Sequence, residues 1–285
     1  MAAEFLAGGP VAEAVLADVR SRVDLLKASG TTPGLGTILV GDDGASAGYV
    51  RKKHETCAEV GMVSQNISVS ADSPPEALDE AVAEFNADPA VHAYIIQHPV
   101  AEGFDFNAAL AAMDPAKDAD GLHPTNLGKL VLQEEGPVPC TPAGIQAMFV
   151  HYGIEVSGKH VVVIGRGPTL GRPLSLVLTT KAPGANAAVT VVHSAVHDLA
   201  ALTRTGDIIV AAVGIPNFVT PDMVRPGAVV VSGGISWEGR RLLADVDESV
   251  GDVASWITPR LGGVGPTTVA MLLRNTVEAA ERATA

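Results

Sequence analysis

The chain has 285 residues, 47% of them hydrophobic and 18% charged, and carries a net charge of −13 at pH 7. That length exceeds one ordinary domain, and that balance gives a well-cored globular protein rather than a disordered one. The acidic charge argues against nucleic acid as a partner. No apolar run reaches bilayer length, and Met1-Ala-Ala-Glu-Phe5 is not a basic segment followed by an apolar core, so a cytoplasmic protein without a membrane partner is expected.

In chain order, hydrophobic periodicity predicts a helix over 11–28, a buried strand over 35–40, a turn at Gly41-Asp-Asp-Gly44 and a helix over 45–60. A strand over 63–69, a helix over 75–85 and a strand over 91–96 follow. The proline-rich run 134–142 reads as a crossing between domains, and strands are expected over 160–165, 188–192, 207–213 and 228–231. This alternation of strands and helices predicts a two-domain α/β fold with mostly parallel sheets. The division expected is 1–139 for the first domain and 140–266 for the second, with a terminal helix over about 267–285 returning to the first. Cys57 and Cys140 lie far apart, without His or Cys at ligand spacing, so neither a disulfide nor a metal site is expected.

Four segments carry chemistry. Ser46, Tyr49 and Lys53 are spaced by three and four residues, which puts a hydroxyl, a phenol and an ammonium on one helical face after a strand. Read alone, this is equally an amphipathic helix with a solvated lysine. Gln97 also follows a strand. In Lys117-Asp118-Ala-Asp120-Gly121, Asp118 could pair with Lys117 on the surface and Asp120 could simply shape the turn.

The fourth segment, Val161-Val-Val-Ile-Gly165-Arg166-Gly167-Pro-Thr-Leu-Gly171, is a strand entering a glycine-rich turn and a helix. Such glycines admit a pyrophosphate close to the backbone, and the helix start offers unpaired amides to its charge. The spacing is one residue longer than the usual dinucleotide fingerprint, and a plain strand-to-helix turn is the alternative. The next strand ends at His193-Ser194 without the acid that binds the ribose hydroxyls of NAD. With Arg166 in the glycine loop, these residues favour NADP, its 2′-phosphate held by Arg166 and Ser194 with help from His193.

Taken in order, Ser46–Tyr49–Lys53, Gln97-His98-Pro99, Lys117 to Gly121, Pro139-Cys-Thr141-Pro142, Gly165 to Gly171 with Arg172-Pro173, His193-Ser194, and Gly262-Gly-Val-Gly-Pro266 cover nearly the whole chain. This series resembles the bifunctional methylenetetrahydrofolate dehydrogenase and methenyltetrahydrofolate cyclohydrolase family. The resemblance implies two α/β domains with a cleft between them, an N-terminal folate-binding catalytic domain and a C-terminal Rossmann-type NADP domain. It implies a homodimer through the second domain. By resemblance, Tyr49 stacks on the aminobenzoate ring, Lys53 is the central lysine, Gln97 its partner, Asp120 the pterin-binding carboxylate and Ser46 a neighbour in the same site. Gly262 and Pro266 are implied as further substrate contacts, and Thr141, Gly165, Arg166, Gly167, Gly171, His193, Ser194, Gly214 and Ile235 as cofactor contacts.

Those roles suit the chemistry. Removing a hydride from methylenetetrahydrofolate requires no strong base, whereas hydrolysing the methenyl cation requires a water and proton transfers. Lys53 is the candidate for the second step, provided its pKa falls below the free value of about 10.4. Gln97 can orient the lysine without adding a charge that favours the ammonium. The departures from the family pattern are Gly167 where a serine is common, His98-Pro99-Val100, Ser232 in place of an aspartate, and Arg260-Leu261. A monofunctional dehydrogenase and a non-catalytic NADP-binding regulatory module are the competing readings.

Overall fold

The computed structural model describes residues 2–41, 44–238 and 241–284, with the backbone alone for Ala45, Ile235, Trp237 and Glu238. The turn expected at 41–44 therefore lies partly outside the described residues. The chain forms two compact units, one comprising Glu13–Val138 with Val269–Ala285, the other Met1–Ala12 with Pro139–Thr268. Strand β1 (Glu4–Phe5) opens the chain, and helix α1 (Gly8–Ala28) follows it.

The unit built on Glu13–Val138 then contains β2 (Gly34–Val40), α2 (Gly44–Glu59), β3 (Val63–Val69), α3 (Glu76–Ala87), β4 (Ala93–Ile96), α4 (Phe106–Ala112) and α5 (Pro124–Leu132). Its sheet is parallel in the order β3-β2-β4. Central β2 is buried along its whole length, which is why its sequence is a continuous apolar run rather than an alternating one. Leu78, Val82 and Phe85 of α3 pack with Ile38, Val40, Tyr94 and Ile96 of the sheet.

The other unit contains α6 (Cys140–His151), β5 (His160–Ile164), α7 (Gly171–Thr179), β6 (Ala188–Val192), α8 (Leu199–Thr203), β7 (Ile208–Ala211), β8 (Val229–Ser232), the antiparallel pair β9 (Ile235–Glu238) and β10 (Arg241–Ala244), and β11 (Trp256–Ile257). Helix α9 (Gly265–Thr284) ends the chain. The six-stranded sheet runs β1-β11-β8-β7-β5-β6, all parallel. Alternate residues of its strands feed two cores: Val161, Val163 and Val210 on one face, Val162, Ile164 and Ile209 on the other. A sheet covered on both faces accounts for the Val-Val-Val-Ile run of β5.

The structure departs from the sequence expectations at the chain's start. Met1–Ala12 groups with the Pro139–Thr268 unit, not with the residues that follow it. The reason is β1, which pairs with β11 at Glu4↔Trp256 and Phe5↔Ile257, followed by buried Leu6 and Val11 in the same core. In α9, Asn275 donates from Nδ2 to the carbonyls of Ala119 (2.9 Å) and Val138 (3.1 Å), and Glu281 accepts a paired contact from Arg22 of α1. Among the described residues no helix is long and apolar enough to cross a membrane.

Candidate active site and cofactor loop

From β2 the chain passes through α2 to β3 on one side, then through α3 to β4 on the other, so the strand order reverses between β2 and β4. Open α/β sheets place ligand sites at the carboxyl ends of strands where that reversal occurs. Helix α2 leaves this end of β2, and Gln97 follows β4 directly. The Gln97 amide donates to the Ile38 carbonyl at 2.8 Å, which extends the sheet ladder by one residue and fixes where the side chain starts.

Lys53 Nζ donates to Gln97 Oε1 at 2.8 Å, while Gln97 Nε2 donates to the His98 carbonyl at 2.8 Å. The second bond turns the carboxamide oxygen toward the lysine. The pair places no negative charge on the ammonium. Ser46 is buried and Tyr49 and Lys53 are half-buried, at positions i, i+3 and i+7 of α2, so the three share a face. Burial pushes the Tyr49 phenol above its ordinary pKa, which keeps the ring neutral.

The surface pair considered for Asp118 and Lys117 is not formed. Lys117 Nζ donates to the carbonyls of Phe85 (2.9 Å) and Asp88 (2.7 Å). Asp118 is buried; it accepts from the amides of Gly121 (2.9 Å) and His123 (2.8 Å) and from Asn126 Nδ2 (2.9 Å). The ammonium reaches carbonyls because Asp118 is turned inward to satisfy amides that would otherwise be buried unpaired. Asp118 on one side and Asn275, bonded to Ala119, on the other shape the loop that carries half-buried Asp120. Neither Asp118 in this role nor Asn275 was legible as part of the site, since each acts on backbone groups that no sequence pattern marks.

In the other unit the chain turns back between β5 and β7, and the loops after these two strands flank that switch point. The loop after β5 fits a pyrophosphate by its backbone. Gly165 has φ +115°, and a Cβ there would strike the Ala212 carbonyl; a Cβ on Gly171 would strike the carbonyl of Gly165. Gly167 has open space where a Cβ would stand. The turn is thus tight against the residue that follows β7 and against the start of its own helix, and open at Gly167, with α7 starting at Gly171.

Ile164 and Val192 are paired across β5 and β6, and the Gly165 amide donates to Val192 O at 2.8 Å. Arg166 and Ser194 each lie two residues past that pair, both exposed, at strand ends only about 5 Å apart. His193, half-buried, accepts the Ala195 amide at Nδ1 (3.3 Å).

After β7, Gly214 has φ +67°, and Asp245 Oδ2 accepts the amides of Val213 (2.8 Å) and Gly214 (3.0 Å). Burial pushes the Asp245 carboxyl up, against the pull of these amides and that of Ile215. Ser232, where the family commonly has aspartate, accepts the Asp245 amide at 2.9 Å and donates to Gly234 O at 3.2 Å. Its hydroxyl serves both directions beside the buried carboxyl, where a second carboxylate would repel it. Asp245 was not singled out from sequence, because the strand it follows, β10, was not expected there either.

Thr141 lies in the first turn of α6, its hydroxyl 3.2 Å from that of Thr268. Gly262, at φ +73°, accepts the Gly8 amide at 2.7 Å, and Pro266 is in the first turn of α9. The side chain of Ile235 lies outside the described residues. Ser46, Tyr49, Lys53, Gln97 and Asp120 thus belong to one unit, whereas Gly262, Pro266 and the cofactor candidates belong to the other.

Comparison with known proteins assigns both units. Residues 6–120 match the family model of the tetrahydrofolate dehydrogenase/cyclohydrolase catalytic domain, and residues 139–284 match that of its NAD(P)-binding domain. A relative named bifunctional protein FolD, from Syntrophotalea carbinolica, is 67% identical over 99% of this chain and 97% of its own. A solved FolD methylenetetrahydrofolate dehydrogenase/cyclohydrolase from Campylobacter jejuni superposes with a TM-score of 0.93 at 36% identity, covering 99% of this chain and 100% of that one. The methylenetetrahydrofolate dehydrogenase-cyclohydrolase of Trypanosoma brucei, solved with NADP and an inhibitor, gives a TM-score of 0.93 at 36% identity over 100% of this chain and 99% of that one. With both domain models matched and a relative this similar along nearly its full length, the chain belongs to the tetrahydrofolate dehydrogenase/cyclohydrolase family.

Proposed function

We infer that this protein is a bifunctional one-carbon folate enzyme, oxidising methylenetetrahydrofolate to the methenyl cation with NADP and hydrolysing that cation to formyltetrahydrofolate. The observation that carries the reading is the Lys53–Gln97 pair at the switch point of the small sheet, on the same helical face as Ser46 and Tyr49. Bound NADP supplies the hydride acceptor. Tyr49 stacks on the aminobenzoate ring and Asp120 accepts from the amino-pyrimidine edge of the pterin, two contacts that orient the methylene carbon.

In the hydrolytic half, water adds to the methenyl carbon and Lys53, as the neutral amine, takes a proton from it. The bond from that carbon to one ring nitrogen breaks as the nitrogen is protonated, leaving the formyl group on the other nitrogen and releasing one proton overall. Gln97 keeps Lys53 Nζ in place throughout, and its neutrality leaves the amine form accessible. Gly262 and Pro266 are proposed as further substrate contacts. Arg166 and Ser194 hold the NADP 2′-phosphate, with Thr141, Gly165, Gly167, Gly171, His193, Gly214 and Ile235 as the remaining cofactor contacts. A cytoplasmic homodimer, formed through the cofactor unit, is the assembly we propose.

The test is the absorbance of methenyltetrahydrofolate. Its NADP-dependent appearance from methylenetetrahydrofolate, together with decay faster than the uncatalysed rate, supports both activities in one chain. Appearance without accelerated decay selects a monofunctional dehydrogenase.

A further inference from the structure

Next to Lys53 in α2 stands His54, and its contacts lead in the opposite direction across the sheet. His54 Nε2 lies 3.0 Å from Thr37 Oγ1 of β2, and Nδ1 lies 2.5 Å from Ser64 Oγ of β3. Thr37 is fully buried at the middle of the central strand, and its hydroxyl also contacts Asn66 Oδ1 (2.8 Å) and Gln65 O (3.4 Å). Both of those partners are acceptors, so they take the single hydroxyl proton and the threonine oxygen is left to accept. His54 Nε2 therefore carries a proton, and in the neutral ring Nδ1 accepts from Ser64. Asn66 Nδ2 continues the chain to Ser68 Oγ at 2.8 Å. Burial and the adjacent Lys53 charge lower the His54 pKa, which favours this neutral form.

Lys53 and His54 are thus neighbours in sequence that tie α2 to opposite flanks of β2. Lys53 reaches Gln97 beyond β4, and His54 reaches β2 itself and edge strand β3. Rotation of α2 about its axis is the motion that carries Lys53 Nζ away from Gln97. His54 is a polar restraint that opposes it, because its ring is anchored to a hydroxyl inside a sheet that does not rotate with the helix. Ser46, Tyr49 and Lys53 share this one rigid element, but only the proton transfers of hydrolysis demand close placement of Nζ.

We propose that His54, through its Nε2–H bond to Thr37, is a positioning residue for cyclohydrolase chemistry: it sets the rotation of α2 that holds Lys53 on Gln97. The proposal rests on the reading of Lys53 as the hydrolytic residue.

The test compares His54→Ala, His54→Gln and His54→Asn in the full-length protein, with Lys53→Met alongside and thermal unfolding midpoints for all four. Glutamine can place an N–H where histidine has Nε2, whereas asparagine reaches only the Nδ1 position. The expected result is a cyclohydrolase kcat lowered on the order of tenfold in His54→Ala, with a distinctly smaller effect on KM and on the NADP-dependent dehydrogenase rate, the part that a shifted Tyr49 ring accounts for. Recovery is expected in His54→Gln and not in His54→Asn, including between variants of equal midpoint. A kcat unchanged in His54→Ala, a loss shared equally by both activities, or equal behaviour of the Gln and Asn variants overturns the proposal. Hydrolysis that survives in Lys53→Met overturns the reading of Lys53 and the proposal with it. Hydrolysis lost in Lys53→Met but intact in His54→Ala overturns the proposal alone.

Discussion

At Lys53 the sequence spacing and the hydrogen bonding agree. The residue lies on the Ser46–Tyr49 face of α2, and the neutral carboxamide of Gln97 receives its Nζ at 2.8 Å. Lys53→Met keeps the methylene stem and removes the amine, so folding is retained while hydrolysis falls by at least about a hundredfold, as expected for loss of a proton-transfer group. Decay of methenyltetrahydrofolate checks this, and unchanged decay counts against the role. Arg166 permits a similar separation. On the proposed assignment, replacing it with alanine removes a charge-assisted contact of roughly 1.5–3 kcal/mol from the 2′-phosphate of NADP and nothing from NAD. The NADP-over-NAD preference in kcat/KM is therefore expected to drop by at least about tenfold. Equal losses with the two cofactors dismiss the phosphate contact. These residues were legible because their spacing relative to strand ends is local. Asp118 and Asn275 were not, since their work is done on the amides and carbonyls of other segments.

The elements show the same division between local and non-local information. The buried runs that became β2 and β5 were recognisable because parallel strands covered on both faces need continuous apolar residues. β1 and β11, two residues each, carry no periodicity and exist because they pair with one another and with β8. That pairing is why the first residues group away from the helix they precede.

The pair β9–β10 was also missed, and it delivers Asp245 to the loop after β7. Asp245 Oδ1 is buried without a hydrogen-bond partner among the described residues, and burial raises the folded pKa above the unfolded value of about 3.9. The folded state then binds the proton more readily than the unfolded state. Its contribution to stability is full below about pH 4 and is lost as pH rises through the folded pKa. Asparagine keeps an oxygen for the Val213 and Gly214 amides and does not titrate. The stability of Asp245→Asn relative to the parent is therefore expected to increase as pH rises above about 4. Denaturant unfolding across a pH series measures this, and a pH-independent difference dismisses the buried-carboxyl account.

For the whole molecule, the decisive property is that the residues proposed for cofactor binding and those proposed for hydrolysis belong to separate compact units, each with its own sheet and its own strand-order reversal. A ligand that binds only the folded state stabilises it by mass action, about 2.7 kcal/mol at a hundredfold excess over Kd. On the proposed assignment, NADP at one fixed concentration raises the unfolding midpoint of the parent and of Lys53→Met equally. Arg166→Ala at that concentration loses most of the rise, while the smaller effect of NAD is the same in all three proteins. Thermal unfolding with each cofactor checks the assignment without depending on turnover, so it separates cofactor recognition from chemistry. If Lys53→Met also lost the NADP effect, cofactor binding would depend on α2, and the division of labour between the two units would have to be redrawn.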